Sequence, residues 1–379
     1  MVKAKNTTAI ANLRLVCSLG LPSEMLVPAI AEALHALIGF SNISVHWFNR
    51  DGGMDKIWCG QEPSPAILRD YTDHFIHTRQ LALQGGFPRL VRLRGTRQLP
   101  DWGDGFYATD YYDAVWRPLR LHSGIVGAVR SPFDSICRSG VTVYRPPGAR
   151  PFCAADVENM ARALPYLVHA FGAGGEAPDG FVDTGVEGLV VVNRAGSIQF
   201  ATRSALDLLF YGSGANVIGD GQSPQRMAAE LIRRVVANFD SPASAVPPPS
   251  LYIGNAFGRF TFRAHWFEGS QDLIGISARR QEPLTLRLAR GSMRLRLSPT
   301  QKQILLFAAQ QQSNTVIAQR MHIKPDTVKG HVMTILERLG IHDRNRIVDA
   351  VLREDPGCVP LGGASATAYA NLQYAYTSK

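Results

Sequence analysis

Few residues in this chain are spaced for bond-making chemistry. His74 and His77 stand three apart on a helical stretch of about 65–79 and could share a metal, but no third ligand is placed, and surface or core histidines are the simpler reading. Gly212-Ser213-Gly214 with Gly219 follows a helical run and not a strand, so it lacks the setting of a dinucleotide fingerprint. There is no P-loop, no H-E-x-x-H and no G-x-S-x-G. The five cysteines, Cys17, Cys59, Cys137, Cys153 and Cys358, include no C-x-x-C pair. The sequence therefore predicts no enzyme, no metal and no cofactor. What remains is the string Thr327-Val328-Lys329-Gly330-His331, with Met333 and Thr334 just beyond. A lysine and short polar side chains around a glycine suit close approach to a phosphate backbone and to base edges.

Such a string works only on an element that holds its angle. Leu297-Ser298-Pro299-Thr300-Gln301 predicts a helix start, with Ser298 as N-cap, Pro299 in the first position and Gln301 closing a capping box. Ile304, Leu305 and Ala308 give that helix an inward face. Ser313 caps a second, short helix striped by Val316, Ile317 and Met321. His322-Ile323-Lys324 leaves room only for a tight turn. Pro325 then opens a third helix with Val328, Val332, Ile335, Leu336 and Leu339 on one side, ended by Gly340. Asp343 caps a fourth helix over Arg344–Leu352. Two short helices across a three-residue turn form a helix-turn-helix, whose second helix enters the major groove.

Charge points to the same region. The chain has 379 residues and a net charge of +9. Residues 284–354 hold twelve basic residues against five acidic ones, a net of +7, so nearly the whole excess is local. A solvated basic face, or a small helical bundle that binds protein, is the competing reading.

The strings L-S-P-T-Q, S-N-T-V-I-A-Q-R-M and D-T-V-K-G-H-V-M-T-I-L-E-R-L-G-I resemble the DNA-binding domain of LuxR/NarL-type transcription factors over about 60 residues. The resemblance implies that Ser313 and Asn314 lie near a phosphate and that Thr327 and His331 contact the DNA backbone. It also implies that Lys329, Gly330 and Met333 face base edges, and that the fourth helix helps to form a dimer. Two positions depart from the pattern. Lys324 stands where a Ser or Thr cap is usual, adding a phosphate contact, and Met333 offers an apolar contact such as a thymine methyl. The implied partners are double-stranded promoter DNA and a second copy of the chain, with room for RNA polymerase and a small-molecule ligand.

The rest of the chain predicts two α+β blocks. In residues 7–171, a helix over Ser23–Ile38 precedes strands Ile43–Phe48 and Met54–Cys59 around Asp51-Gly52-Gly53, a hairpin signal. Strands Gly124–Arg130 and Gly140–Tyr144 and a helix over Ala154–Phe171 follow. With Val143-Tyr144-Arg145-Pro146 and Phe152, the order resembles a GAF-like sensor domain. Trp102, Tyr107, Asp110, Tyr111, Tyr112, Asp113 and Trp116 form an aromatic–acidic cluster, but its spacing does not match an acyl-homoserine-lactone sensor. Residues 172–179 read as a linker. Residues 180–282 resemble a PAS-like domain, most of all in E-G-L-V-V-V-N-R-A-G-S-I-Q-F-A. In its run of alternating residues, Phe260, Phe262, Ala264 and Trp266 share one side. Phe200, Phe210, Phe260, Phe262 and Trp266 could line a ligand pocket, or form plain core. Residues 355–379 read as a disordered tail.

The expected architecture is thus multidomain, with GAF-like and PAS-like α+β sensor domains followed by an all-α four-helix DNA-binding domain at 284–354. The expected function is a cytoplasmic, sequence-specific transcription regulator. Its rival is a sensory protein with a GAF/PAS ligand or cofactor role whose helical end docks a protein partner. The scattered cysteines suit a reducing compartment, and no apolar run reaches the ~18–20 residues of a membrane span.

Overall fold

A computed structural model of the chain describes residues 2–60, 67, 70–75, 91–99, 104–131, 136–172, 180–214, 224–237, 250–269 and 272–355. The expected linker beyond Gly172, most of the 65–79 helix, His77, Trp102, Gly219 and the tail beyond Asp355 lie outside these residues.

The first block opens with helices α1 (Val2–Cys17) and α2 (Ser23–Ile38). Strands β1 (Asn42–Phe48), β2 (Met54–Cys59), β3 (Thr96–Leu99), β4 (Ser123–Arg130) and β5 (Cys137–Arg145) form one antiparallel sheet in the order β2-β1-β5-β4-β3, and α3 (Ala154–Gly172) closes the block. Neither α1 nor β3 was foreseen. Arg14 breaks the apolar pattern of α1 from the sequence side, yet it lies on the exposed side, while Leu13, Val16 and Cys17 are buried.

Alternation along the strands sorts two faces. Ile43, Val45, Trp47, Val141 and Val143 pack with the three helices. The other face meets an aromatic cluster of Phe106, Tyr112, Val115, Trp116, Leu121 and Tyr144, which includes part of the aromatic–acidic set. Arg145 of the Val-Tyr-Arg-Pro phrase ties the ends of α2 and α3 together. It donates to the carbonyls of Ile38 and Gly39 at 2.8 Å, pairs with Asp156 at 3.2 Å and lies over the Phe152 ring.

The second block repeats the strand order. β6 (Phe181–Asn193), β7 (Ile198–Ala201), β8 (Ser250–Asn255), β9 (Gly258–Trp266) and β10 (Leu273–Pro283) form the sheet β7-β6-β10-β9-β8, all antiparallel. Helices α4 (Arg203–Gly212) and α5 (Pro224–Ala237) cover one face. Thr202 caps α4 by accepting from the Ala205 N–H. Phe260, Phe262 and Ala264 face inward as the alternation predicts, but Trp266 and Phe200 are exposed and do not line a pocket. Trp266 lies at the end of its strand, under the Arg194 guanidinium.

The third block holds one helix more than expected. α6 (Leu284–Arg294) starts on the residue after β10 ends, and α7 (Pro299–Ala309), α8 (Asn314–Met321), α9 (Pro325–Leu339) and α10 (Ile347–Glu354) follow. Three arginines hid α6 from the apolar count, because two of them, Arg287 and Arg290, point inward. Leu288 and Ala289 of α6 and Leu15 of α1 share a core with Ile304, Ile317, Val328, Ile335 and Val351. In the sequence, Ile347, Val348 and Val351 of the fourth helix make an apolar strip that could serve a dimer, but Ile347 and Val351 are taken up by the core that α6 completes. Both are fully buried, and α6 lies so close to α10 that a Cβ on Gly291 would stand 2.5 Å from the Val351 carbonyl oxygen.

Candidate nucleic-acid interface

The helix-turn-helix forms as the sequence dictates. Ser298 and Gln301 complete their capping box on α7, and the Ser313 hydroxyl accepts from the Val316 N–H at the start of α8. The turn His322-Ile323-Lys324 closes with His322 in the left-handed region at φ +54°, uncommon for a side chain of its size. Lys324 sits at the N-cap of α9 without a side-chain bond to the backbone, and Gly340 ends the helix at φ +64°. Val328, Val332 and Ile335 are buried, which fixes the rotation of α9.

That rotation leaves Lys324, Thr327, Lys329, Gly330 and Met333 on the exposed side of α9. Met333 is 63% exposed, unusual for a methionine, and a Cβ on Gly330 would meet nothing within 4 Å. His331 is half-buried, and so is Thr334, whose hydroxyl donates to the Gly330 carbonyl at 3.1 Å. Ser313 is exposed at the start of α8, with its hydroxyl already used as a cap. The Asn314 Oδ1 accepts from Arg344 at 2.8 Å, and the same guanidinium donates to the Gln312 carbonyl. Arg344 was counted as charge and not foreseen as the clamp on this helix start. Burial lowers its pKa from the usual value.

The charge count needs correction. Of the twelve basic residues, Arg287 and Arg290 are buried in a network with Glu282 and Asp355. Arg290 meets Glu282 at 2.7 Å and Asp355 at 2.9 Å, Arg287 meets Asp355 at 2.9 Å, and Arg280 of β10 meets Glu282 at 3.0 Å. Arg287 also donates to the Asp183 carbonyl of β6 at 2.6 Å. Arg280 and Glu282 are each 1% exposed. Burial alone would raise the Glu282 pKa, but the Arg280 and Arg290 guanidiniums hold it below the ordinary value. Arg294 pairs with Glu32 of α2 at 3.4 Å, and Lys302 is buried against α1. With Arg344, five of the twelve therefore serve the fold, and the positive charge offered to a polyanion is smaller than the count implied.

Elsewhere, His74 is exposed and its proposed partner His77 lies outside the described residues. Among the described residues, no group of three or more His, Cys, Asp or Glu could hold a metal ion, and no helix is long and apolar enough to cross a membrane.

Residues 295–351 match the family described as "Bacterial regulatory proteins, luxR family". The match runs from α7 into α10 and begins just after α6 ends. The chain thus carries a LuxR-type helix-turn-helix domain, a DNA-binding module of transcription regulators. No curated protein matches the chain. Among solved structures it is similar to the Vibrio cholerae VqmA dimer without target DNA, described as a LuxR-type receptor, at 14% identity and a TM-score of 0.16, over 46% of this chain and 86% of that one. It is also similar to the sensor region of a sensor histidine kinase, at 14% identity and a TM-score of 0.18, over 67% of this chain and 92% of that one. At these scores neither superposes on the chain as a whole.

Proposed function

We propose that the chain is a sequence-specific transcription regulator that reads promoter DNA as a homodimer in the cytoplasm, with α9 in the major groove. The carrying observation is the exposed row Thr327, Lys329, Gly330 and Met333 on the second helix of a LuxR-type helix-turn-helix. Lys329 and Met333 are read as base contacts, Thr327, His331 and Lys324 as backbone contacts, and Ser313 and Asn314 as lying beside a phosphate. Two copies on an inverted repeat would double the few phosphate contacts of one small head. Lys329→Ala should weaken specific binding by roughly 1–3 kcal/mol if the lysine reads a guanine. If it meets only phosphate, all sequences should weaken alike and the salt slope should drop by about one. Unchanged binding to every duplex would remove Lys329 from the interface. Light scattering with footprinting tests the dimer, and a monomer protecting one asymmetric half-site would refute it.

A sensing role for the first block rests on a separate observation. Ser44, His46, Thr142 and Tyr144 alternate with the core residues of β1 and β5, so they face the aromatic cluster. The Ser44 and Tyr144 hydroxyls bond each other at 3.1 Å. Among the described residues, the Nδ1 of buried His46 has no hydrogen-bond partner. Burial pushes the His46 pKa down to about 4 and the Tyr111 pKa up to about 12, so both are neutral at physiological pH. A neutral small molecule with hydrogen-bonding groups fits such a surface. RNA polymerase contact and the GAF-like and PAS-like assignments belong to the same proposal.

A further inference from the structure

The head meets the first block across a cleft of about 290 Å³ between α1, α3 and α7, whose walls include Ile10, Arg14, Leu15, Tyr166, Thr300 and Lys302. No lining residue is acidic. Lys302 is only 3% exposed, and its ammonium donates to the Asn12 Oδ1 at 2.8 Å. An ammonium carries three donors. Among the described residues, no carboxylate stands within 4 Å of this one, whereas Arg280, Arg287 and Arg290 each meet a carboxylate. A buried cation without a counter-charge is costly, and burial lowers the Lys302 pKa accordingly. The first turn of α7, through Pro299 and Thr300, brings the positive end of a helix to the same walls.

We propose that this cleft binds a small organic anion, a carboxylate or a phosphate ester. Its charged group is held by Lys302 and Arg14, beside the Thr300 and Tyr166 hydroxyls, and its apolar part rests on Ile10 and Leu15. α1 belongs to the first block and α7 to the head, so the anion bridges them and favours the arrangement in which they touch. The site is separate from the row of readers on α9.

The test is thermal unfolding of the full chain, without DNA, in sodium phosphate, sodium butyrate or sodium chloride at one ionic strength. The expected result is a saturable rise in melting temperature with phosphate or with butyrate beyond the chloride control, and which of the two acts identifies the charged group. Saturation matters because phosphate also stabilises folded proteins in general, without a site. Lys302→Gln should weaken the apparent affinity about tenfold or more, as loss of a charge-assisted bond does. Arg14→Gln, at an exposed position, should weaken it by a smaller factor, and it decides alone if Lys302→Gln does not melt cooperatively. The proposal is overturned by a response no larger than chloride gives, or by one unchanged in the variants. It is also overturned if saturating duplex DNA abolishes the response, since the cleft would then be a contact for DNA phosphate. Because no step requires DNA, failure here leaves the regulator reading standing.

Discussion

The two sheets share one strand order and differ in what covers their faces. β2-β1-β5-β4-β3 is covered on both faces, by three helices on one side and by aromatic residues on the other, with Ser44, His46, Thr142 and Tyr144 enclosed between. Among the described residues, β7-β6-β10-β9-β8 is covered by α4 and α5 on one face. Its other face shows Leu189, Arg263 and Tyr252 to solvent, and Tyr252 is 67% exposed. The first sheet has the makings of a container and the second those of a mount. The head meets the first block through Leu15 in its core, the Lys302–Asn12 bond and the half-exposed pair Arg294–Glu32, and it is fixed to the second by five buried charges and a continuous chain. A shared topology therefore says little about role, which lies in what covers each face.

The sharpest way to break the comparison is Val332→Asp. An unpaired carboxylate in the core of the head should cost several kcal/mol, enough to unfold a small bundle. If the second sheet is the mount of the head, its melting should follow the head while the first block keeps its own transition. Loss of the head transition alone in calorimetry, with both sheets melting as in the parent, would show that the second sheet is not coupled to the head, and an unchanged head transition would show that position 332 tolerates a charge.

Next in size is Glu282→Ala, which leaves Arg280 and Arg290 short of a partner and should destabilise by about 3–5 kcal/mol. A denaturant midpoint within error of the parent would show that the network contributes nothing. The same carboxylate sets a pH dependence. Its folded pKa lies below the ordinary value of 4.5, so its stabilisation is present above pH 4.5 and is lost as the pH falls through the folded pKa. Acid unfolding of Glu282→Gln should lack that component.

His46→Leu removes an imidazole whose Nδ1 lacks a partner but which bonds the Gly140 backbone, so it should cost no more than about 1–3 kcal/mol. A large loss on chemical denaturation would mean that the imidazole is part of the core, and would weaken the container reading. Smallest of all, Phe200→Ser on the second sheet, where the ring is 64% exposed, should change stability by no more than about 0.5 kcal/mol. A substantial drop would reveal a cover on that face.

Local signals were legible wherever a turn, a cap or a period spoke for itself. Ser298 with Gln301, Ser313, Pro325 and Gly340 mark the ends of three helices, and Asp51-Gly52-Gly53 marks the hairpin. The buried side of α9 followed from Val328, Val332 and Ile335. What escaped was tertiary. α6 is unreadable by periodicity because Arg287 and Arg290 occupy inward positions, and only Glu282 and Asp355, brought there by the fold, make that tolerable. The role of Lys302 escaped for the same reason, since Asn12 lies 290 residues away in sequence.

The junction of Pro283 and Leu284 has a geometric consequence. Strand gives way to helix with no residue between them, so the heading of α6, on which the head is packed, is set by covalent phase and not by a tether. One residue added inside α6 would turn everything after it by about 100° and advance it by about 1.5 Å. In a symmetric pair of heads, that rotation would carry each reader away from a groove that recurs every ~10 base pairs. On the proposed dimer, the permitted distance between half-sites would thus be recorded in the chain as an angle, and a single inserted alanine should change which operator spacing is accepted.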